Sequence, residues 1–276
     1  MTTVSKKIVV LDVDETIGYF VELGIFCDAL TQTVWNNDQS VQYAQFNHLM
    51  DAFPEFLRPN ILDLLKFLKM KKEQKECWGV MIYTNNNGPR EWVEHIIRYI
   101  ESKLGGQMFD KIVAAFKING KIIEMGRTTH DKTYTDLLRC TKLPSNVEVC
   151  FLDDQMHSQM EHDQVYYINV KPYVHQLSVK TLTDRFMQSP ALRNTIYGGV
   201  SSEQFYALIL HFMHKFQVSK KDPMEQEIDK IISKKIMEHL NEFFDGAEKP
   251  KESHDSEESY KFSKKTDAKQ KTKKKL

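Results

Sequence analysis

Three stretches of the chain share one design, an apolar run rich in β-branched residues that stops abruptly at acids or amides. They are Lys6 to Thr16 (KKIVVLDVDET), Trp78 to Thr84 (WGVMIYT, followed by Asn85-Asn86-Asn87) and Val147 to Asp154 (VEVCFLDD). None alternates apolar with polar, so each predicts a strand buried on both faces. Val165 to Val170 is a fourth, shorter candidate. Between them the period lengthens to that of a helix. Ile61, Leu64, Leu65 and Leu68 share one face over Asn60 to Lys71, and Trp92, Ile96, Ile97 and Ile100 share one over Pro89 to Leu104. Pro59 and Pro89 suit first helical turns, and Gly105-Gly106 suits a stop.

Strands alternating with helices predict an α/β fold: a doubly wound parallel sheet with helices on both faces, whose functional groups gather beyond the carboxyl ends of the strands. One interruption is antiparallel in character. Asn119-Gly120, between the apolar-rich arms of Ile112 to Met125, signals a β-hairpin inserted into the sheet fold. Residues 17–57 read as a long link of mixed character, either a flap or a small lid. Beyond Leu177 the pattern becomes helical, notably over Glu203 to Phe216 and Glu225 to Phe244, and from Ala247 apolar residues nearly vanish. The expected organisation is a main domain over 1–185, a helical extension over 186–246 and a disordered lysine-rich tail over 247–276.

Composition narrows the function classes. With 276 residues, the chain suits one large domain or one domain and an appended unit at about 150 residues per domain. Lys and Arg number 38, matched by 38 Asp and Glu, so there is no bulk attraction to nucleic acid or anionic membrane. Cys27, Cys77, Cys140 and Cys150 are too scattered for a disulfide framework or a zinc knuckle, which favours a reducing compartment. No apolar run approaches the roughly 18 residues of a membrane span. The expectation is therefore an intracellular protein, cytoplasmic or nuclear, with no membrane contact. Lys261 to Leu276 holds eight lysines against the single acid Asp267, so nucleic-acid contact, if any, would come through this tail. The tail reads equally as an address for nuclear import or as a solubilising terminus.

The strand ends carry the candidate chemistry. Asp12-Val13-Asp14-Glu15-Thr16 is a D-x-D-x-T signature in which one carboxylate can attack phosphorus and a second, two residues on, can protonate the leaving oxygen and later activate water. Asp12 is the candidate nucleophile and Asp14 the candidate acid/base, with the Thr16 hydroxyl expected to hold the turn and orient Asp14. Solvated turn acids are the alternative for this motif alone. Thr84, with Asn85 after it, offers a hydroxyl and backbone N–H groups to phosphoryl oxygens. Asp153 and Asp154 bring two more acids to the same rim, and crowded carboxylates call for a cation. Hard oxygen donors favour Mg2+, with side chains of Asp12 and one of Asp153-Asp154 and the backbone carbonyl of Asp14 as ligands. Lys132, at the opening of a helical stretch over Thr133 to Cys140, is the chosen phosphate-holding cation, ahead of Lys111, Lys117, Lys121 and Lys142.

The ordered set LDVDET, YTN, Lys132 and FLDD resembles the haloacid dehalogenase superfamily of aspartate-based phosphatases. Phe56 to Leu68 (FLRPNILDLLKFL) is similar to the Arg-Pro-led helix of the RNA polymerase II carboxy-terminal-domain phosphatases, also called NLI-interacting-factor-like phosphatases, and so is the hairpin. The resemblance spans roughly Lys7 to Arg185. It implies Mg2+-dependent dephosphorylation of phosphoserine or phosphothreonine in proteins, in a site without a large cap. Carried over, Asp12 is the nucleophile, Asp14 the acid/base, Thr84 and Lys132 phosphate contacts, and Asp154 the metal ligand with Asp153 beside it. Asn60 stands where that family has Gly.

Two other readings compete. The same residues would serve a phosphatase of small metabolites or nucleotide ends. A non-catalytic binding module would instead use the C-terminal helices, whose His211, His214 and His239 read as packing or as a surface for a protein partner rather than as a metal site.

Overall fold

The computed structural model describes residues 6–35, 42–196, 198–216 and 221–246. The expected lysine-rich tail lies outside them.

Side chains on opposite faces of each central strand enter two different cores, which is why the strands read as unbroken apolar runs. Strand β1 (Lys7–Leu11) sends Val9 and Leu11 to the larger core and Ile8 and Val10 to the smaller. Strands β2 (Gly79–Tyr83) and β6 (Glu148–Asp153) divide likewise, Val80, Ile82, Cys150 and Leu152 going one way and Met81, Tyr83, Val149 and Phe151 the other. With β3 (Lys111–Val113) and β7 (Val165–Asn169) they form a parallel five-stranded sheet in the order β3-β2-β1-β6-β7. From β1 the chain moves outward through β2 to β3, then returns to β1's other side for β6. The crevice at the carboxyl ends of β1 and β6 is thus the topological switch point of a doubly wound sheet.

Helices α1 (Val21–Thr33), α2 (Tyr43–Ala52) and α3 (Ile61–Glu73) fill the crossover from β1 to β2, and α4 (Arg90–Lys103) joins β2 to β3. Their buried residues join the larger core, whereas α5 (Tyr134–Thr141) covers the other face with Tyr134, Leu137 and Cys140. The prolines sit one step earlier than expected: Asn60 caps α3 after Pro59, and Pro89 itself is the residue before α4. Asn60 has φ of 60°, a left-handed conformation that Asn tolerates better than most residues, so it does the work of a glycine there.

The described residues of the link over 17–57 contribute to the core rather than form a flap. Phe26 meets Phe53 edge to face at 5.9 Å and Phe186 at 6.1 Å, and Phe46 meets Trp92 at 5.3 Å. Ile112-Val113, expected in the hairpin arm, instead pair in parallel with β2; three residues are too short to show a period. The hairpin itself is shorter, β4 (Lys117–Ile118) against β5 (Lys121–Ile122), with Asn119 and Gly120 both at positive φ as a tight primed turn requires.

Helices α6 (Val179–Gln188), α7 (Pro190–Arg193), α8 (Ser202–Met213) and α9 (Pro223–Asp245) continue the chain without starting a second core. Leu182, Phe186, Phe205, Ile209, Leu240 and Phe243 belong to the same apolar cluster as β1 and α1. Each such side chain contributes roughly 1.5–3 kcal/mol on burial. Lys7 at the start of β1 donates to the carbonyls of Phe243 (2.7 Å) and Phe244 (3.0 Å), capping the last helix with the first strand. Among the described residues no helix is long and apolar enough to cross a membrane, and the four cysteines are buried and unbridged.

Candidate active site

Asp12 is the first residue beyond β1, and its N–H still donates to Leu152 O at 2.9 Å, so the sheet itself aims it into the switch-point crevice. The chain then turns sharply. Glu15 takes φ of 58° and its N–H reaches Gly18 O at 2.7 Å, while Ile17 N–H reaches Val13 O at 2.9 Å. Any side chain at position 18 would place its Cβ 2.4 Å from the backbone oxygen of Phe56, so only glycine fits this crossing. Arg58, 1% exposed, clamps the turn from behind: Nε donates to Thr16 O (2.6 Å), and Nη2 to Glu15 O (2.7 Å) and Lys171 O (2.9 Å). The Arg-Pro pair noted in the sequence therefore acts through its guanidinium on the acidic motif.

Lys132 arrives from the other side. Arg127 fixes the loop before it, donating to Thr84 O, Ala114 O, His130 O and Asp131 O with its guanidinium 4.9 Å from the centre of the Tyr83 ring. Asp136 of α5 holds the same loop through the N–H and hydroxyl of Thr128. The Lys132 ammonium, 1% exposed, ends between two carboxylates, 2.6 Å from Asp12 Oδ1 and 2.6 Å from Asp153 Oδ2. Asp153 Oδ1 accepts from Gln155 N–H at 2.8 Å and lies 3.6 Å from His157 Nε2.

Thr16 does not orient Asp14 as expected. Its hydroxyl donates to Asp154 Oδ1 (3.0 Å) and accepts from Asp154 N–H (3.0 Å), locking the β1 turn to the end of β6. Asp14 is oriented by Asn86, whose Nδ2 donates to Oδ2 at 2.8 Å; Asn86 is itself fixed by Thr84 Oγ1 and Gly88 N–H. The physical reason lies in topology, because β1 and β6 are adjacent and Thr16 rises on the β6 side while Asp14 leans toward the end of β2.

Burial pushes Asp12 up to about 7, Lys132 partly offsetting and the Asp153 charge adding to it. Burial also raises Asp14, against the Asn86 hydrogen bond. Asp153 is held below its ordinary value: burial opposes its ionisation most strongly but is outweighed together by His157, Lys132 and the Gln155 N–H.

Asp12, Asp153 and Asp154 offer oxygens all within 4.8 Å of one another. Two unit charges about 4 Å apart repel by about 4 kcal/mol at an effective dielectric near 20, and three carboxylates face one ammonium. The set is short of positive charge and consists of hard oxygen donors, so it could hold a metal ion. The carboxylate of Asp14 is not in this set.

A cleft of about 660 Å³ opens onto the acids, lined by Asp12, Asp14, Thr84, Asn85 and Asp154 among others. Lys132, Thr16 and Asp153 stand behind this lining and hold it. Lys132 thus bridges Asp12 and Asp153, and its ammonium does not line the cleft where a phosphate contact was expected. Asn86, Arg127, Gln155 and His157 escaped the sequence reading. Only Asn86 carried a signal, lying in the Asn-Asn-Asn-Gly run of which Asn85 alone, with Thr84 before it, reads as a phosphate contact. Comparison of the chain with protein-family models, with curated proteins and with solved structures returns no match.

Proposed function

We propose that the chain is a Mg2+-dependent phosphomonoester hydrolase of the haloacid dehalogenase type, resembling the NLI-interacting-factor-like phosphatases, and that it acts on phosphoserine or phosphothreonine in proteins. The observation that carries the reading is the placement of two carboxylates two residues apart, Asp12 and Asp14, in one cleft at the switch point, with Lys132 2.6 Å from the first. An Asp12 oxygen attacks phosphorus, the bond from phosphorus to the ester oxygen breaks, and the departing oxygen takes the Asp14 proton. Asp14, now ionised, accepts a proton from water as that water attacks phosphorus and displaces the Asp12 carboxylate, which regenerates both groups.

Burial raises Asp14 and so favours the protonated form that the first step consumes, while Asn86 fixes its direction. Lys132 offsets the charge on Asp12. The cation would be held by Asp12, Asp153 and Asp154, where its charge would offset that of the phosphoryl oxygens. Thr84 and Asn85 line the same cleft and offer donors to those oxygens.

Hydrolysis of a small aryl phosphate by the purified full chain, with Mg2+ and with chelator, tests the reading. Turnover only with Mg2+, abolished in Asp12→Asn, is expected. Equal turnover by Asp12→Asn removes Asp12 as nucleophile, and no turnover in Mg2+ removes the reading.

A further inference from the structure

The cleft does not end at the acids. It runs on between α1 and α4, which come close enough that a Cβ on Gly24 would lie 3.7 Å from the Trp92 ring. Phe20, Val21, Ile25 and Trp92 give it apolar walls, and the Trp92 ring is braced edge to face by Phe46 at 5.3 Å. Phosphoryl transfer uses none of these residues. They border instead the space that the rest of a substrate would occupy once its phosphate reached Asp12.

The charge of that space is one-sided. Glu15, Asp28 and Glu91 line it beyond the catalytic pair, and no Lys or Arg is among its described lining residues. A nucleotide or polyphosphate would bring anions against these carboxylates and find no cation to meet them. An alkyl stem ending in a cation suits the walls, since Lys and Arg lay their methylenes on apolar or aromatic surface and keep the charge at its edge.

We infer that this cleft receives the flanking residues of a phosphoserine or phosphothreonine peptide with Lys or Arg beside the phosphorylated residue, stem along Trp92 and charge toward Asp28 and Glu91. The inference rests on the phosphatase reading above and adds to it the chemistry of the preferred sequence.

The test compares kcat/KM for three phosphoserine peptides that differ only in flanking Arg, Gln or Glu, alongside an aryl phosphate and phosphoethanolamine, all with Mg2+. Two or three partly exposed charge contacts predict about a tenfold preference for the Arg peptide over the Glu peptide. In the double variant Asp28→Asn, Glu91→Gln the preference should fall to about threefold or less. Gly24→Leu, which improves helix propensity while adding bulk toward Trp92, should raise KM for the Arg peptide more than for the aryl phosphate. Equal turnover of the three peptides, or phosphoethanolamine exceeding all of them, overturns this inference while aryl phosphate turnover leaves the phosphatase reading standing. A preference that survives in the double variant also overturns it. Failure to hydrolyse even the aryl phosphate overturns both.

Discussion

Two lysines, one buried and one half-buried, make an instructive pair. Lys132 lies between Asp12 and Asp153 at the strand ends, with Asp154 close by, so anions outnumber the cation. Lys221 pairs with the 2%-exposed Asp229 of α9, donates to Val174 O at 2.6 Å and lies 4.7 Å from the centre of the Tyr173 ring. Arg58 lies 5.4 Å from the centre of the same ring and also senses the Asp229 charge. Both clusters avoid an isolated buried charge, which would be costly. They differ in what they leave over. The Lys132 cluster borders a cleft and is short of positive charge, whereas the Lys221–Asp229 pair ties α9 to the loop that Arg58 clamps. A surplus of negative charge that faces an opening could hold a metal ion; a matched pair ties elements of the fold together.

The sharpest way to break this contrast is at Asp12. Asp12→Asn should lower turnover of an aryl phosphate by at least about 10³-fold in Mg2+ while leaving the melting temperature unchanged or higher, since it relieves crowded carboxylates. A comparable Tm with retained activity would put the Lys132 cluster in the architectural class.

Next in size is the loss of the cation. Lys132→Met leaves two buried carboxylates facing each other and should cost about 3–5 kcal/mol in urea unfolding at neutral pH. If the surplus charge is a metal site, millimolar Mg2+ should recover part of that loss; Asp229→Asn should weaken the fold with no recovery by Mg2+.

A third acid tests the same idea without any cation. Glu22 on α1 is fully buried, accepts from Leu177 N–H at 2.9 Å, and its Oε1 has no hydrogen-bond partner among the described residues. Burial pushes it up to about 7. The fold therefore favours the protonated form, and the stability this contributes is complete below the ordinary value of 4.5 and lost as pH rises to about 7. Glu22→Gln should flatten that slope, by about 2 kcal/mol between pH 5 and 7.5.

The smallest effect is expected at Thr16. Thr16→Val removes two hydrogen bonds to Asp154 and should cost about 1–2 kcal/mol. It should also weaken Mg2+ binding, measured calorimetrically, because Asp154 loses the contact that orients it.

Much of the frame was readable in the chain. Apolar runs of four or more residues stopping at Asp12, Thr84 and Asp153 announce parallel strands because burial on both faces removes the alternation, and that also locates the acids at one edge of the sheet. The short strand Lys111–Val113 was not readable, having too few residues to show any period. The Thr16 partnership with Asp154 was hidden for a different reason. It joins residues 138 positions apart, and only the adjacency of β1 and β6 brings them together.

By itself the sequence determined the α/β alternation, the helix faces and the pairing of Asp12 with Asp14, since these depend on periods and spacings within a few residues. Tertiary structure decided which lysine meets the acids. Lys111 lies on the edge strand, Lys117 and Lys121 on the hairpin, and Lys142 in the left-handed cap of α5, while the loop held by Arg127 delivers Lys132. It also decided the cleft between α1 and α4, which no local pattern encodes, because a cavity exists only where distant surfaces meet and fail to fill the space between them.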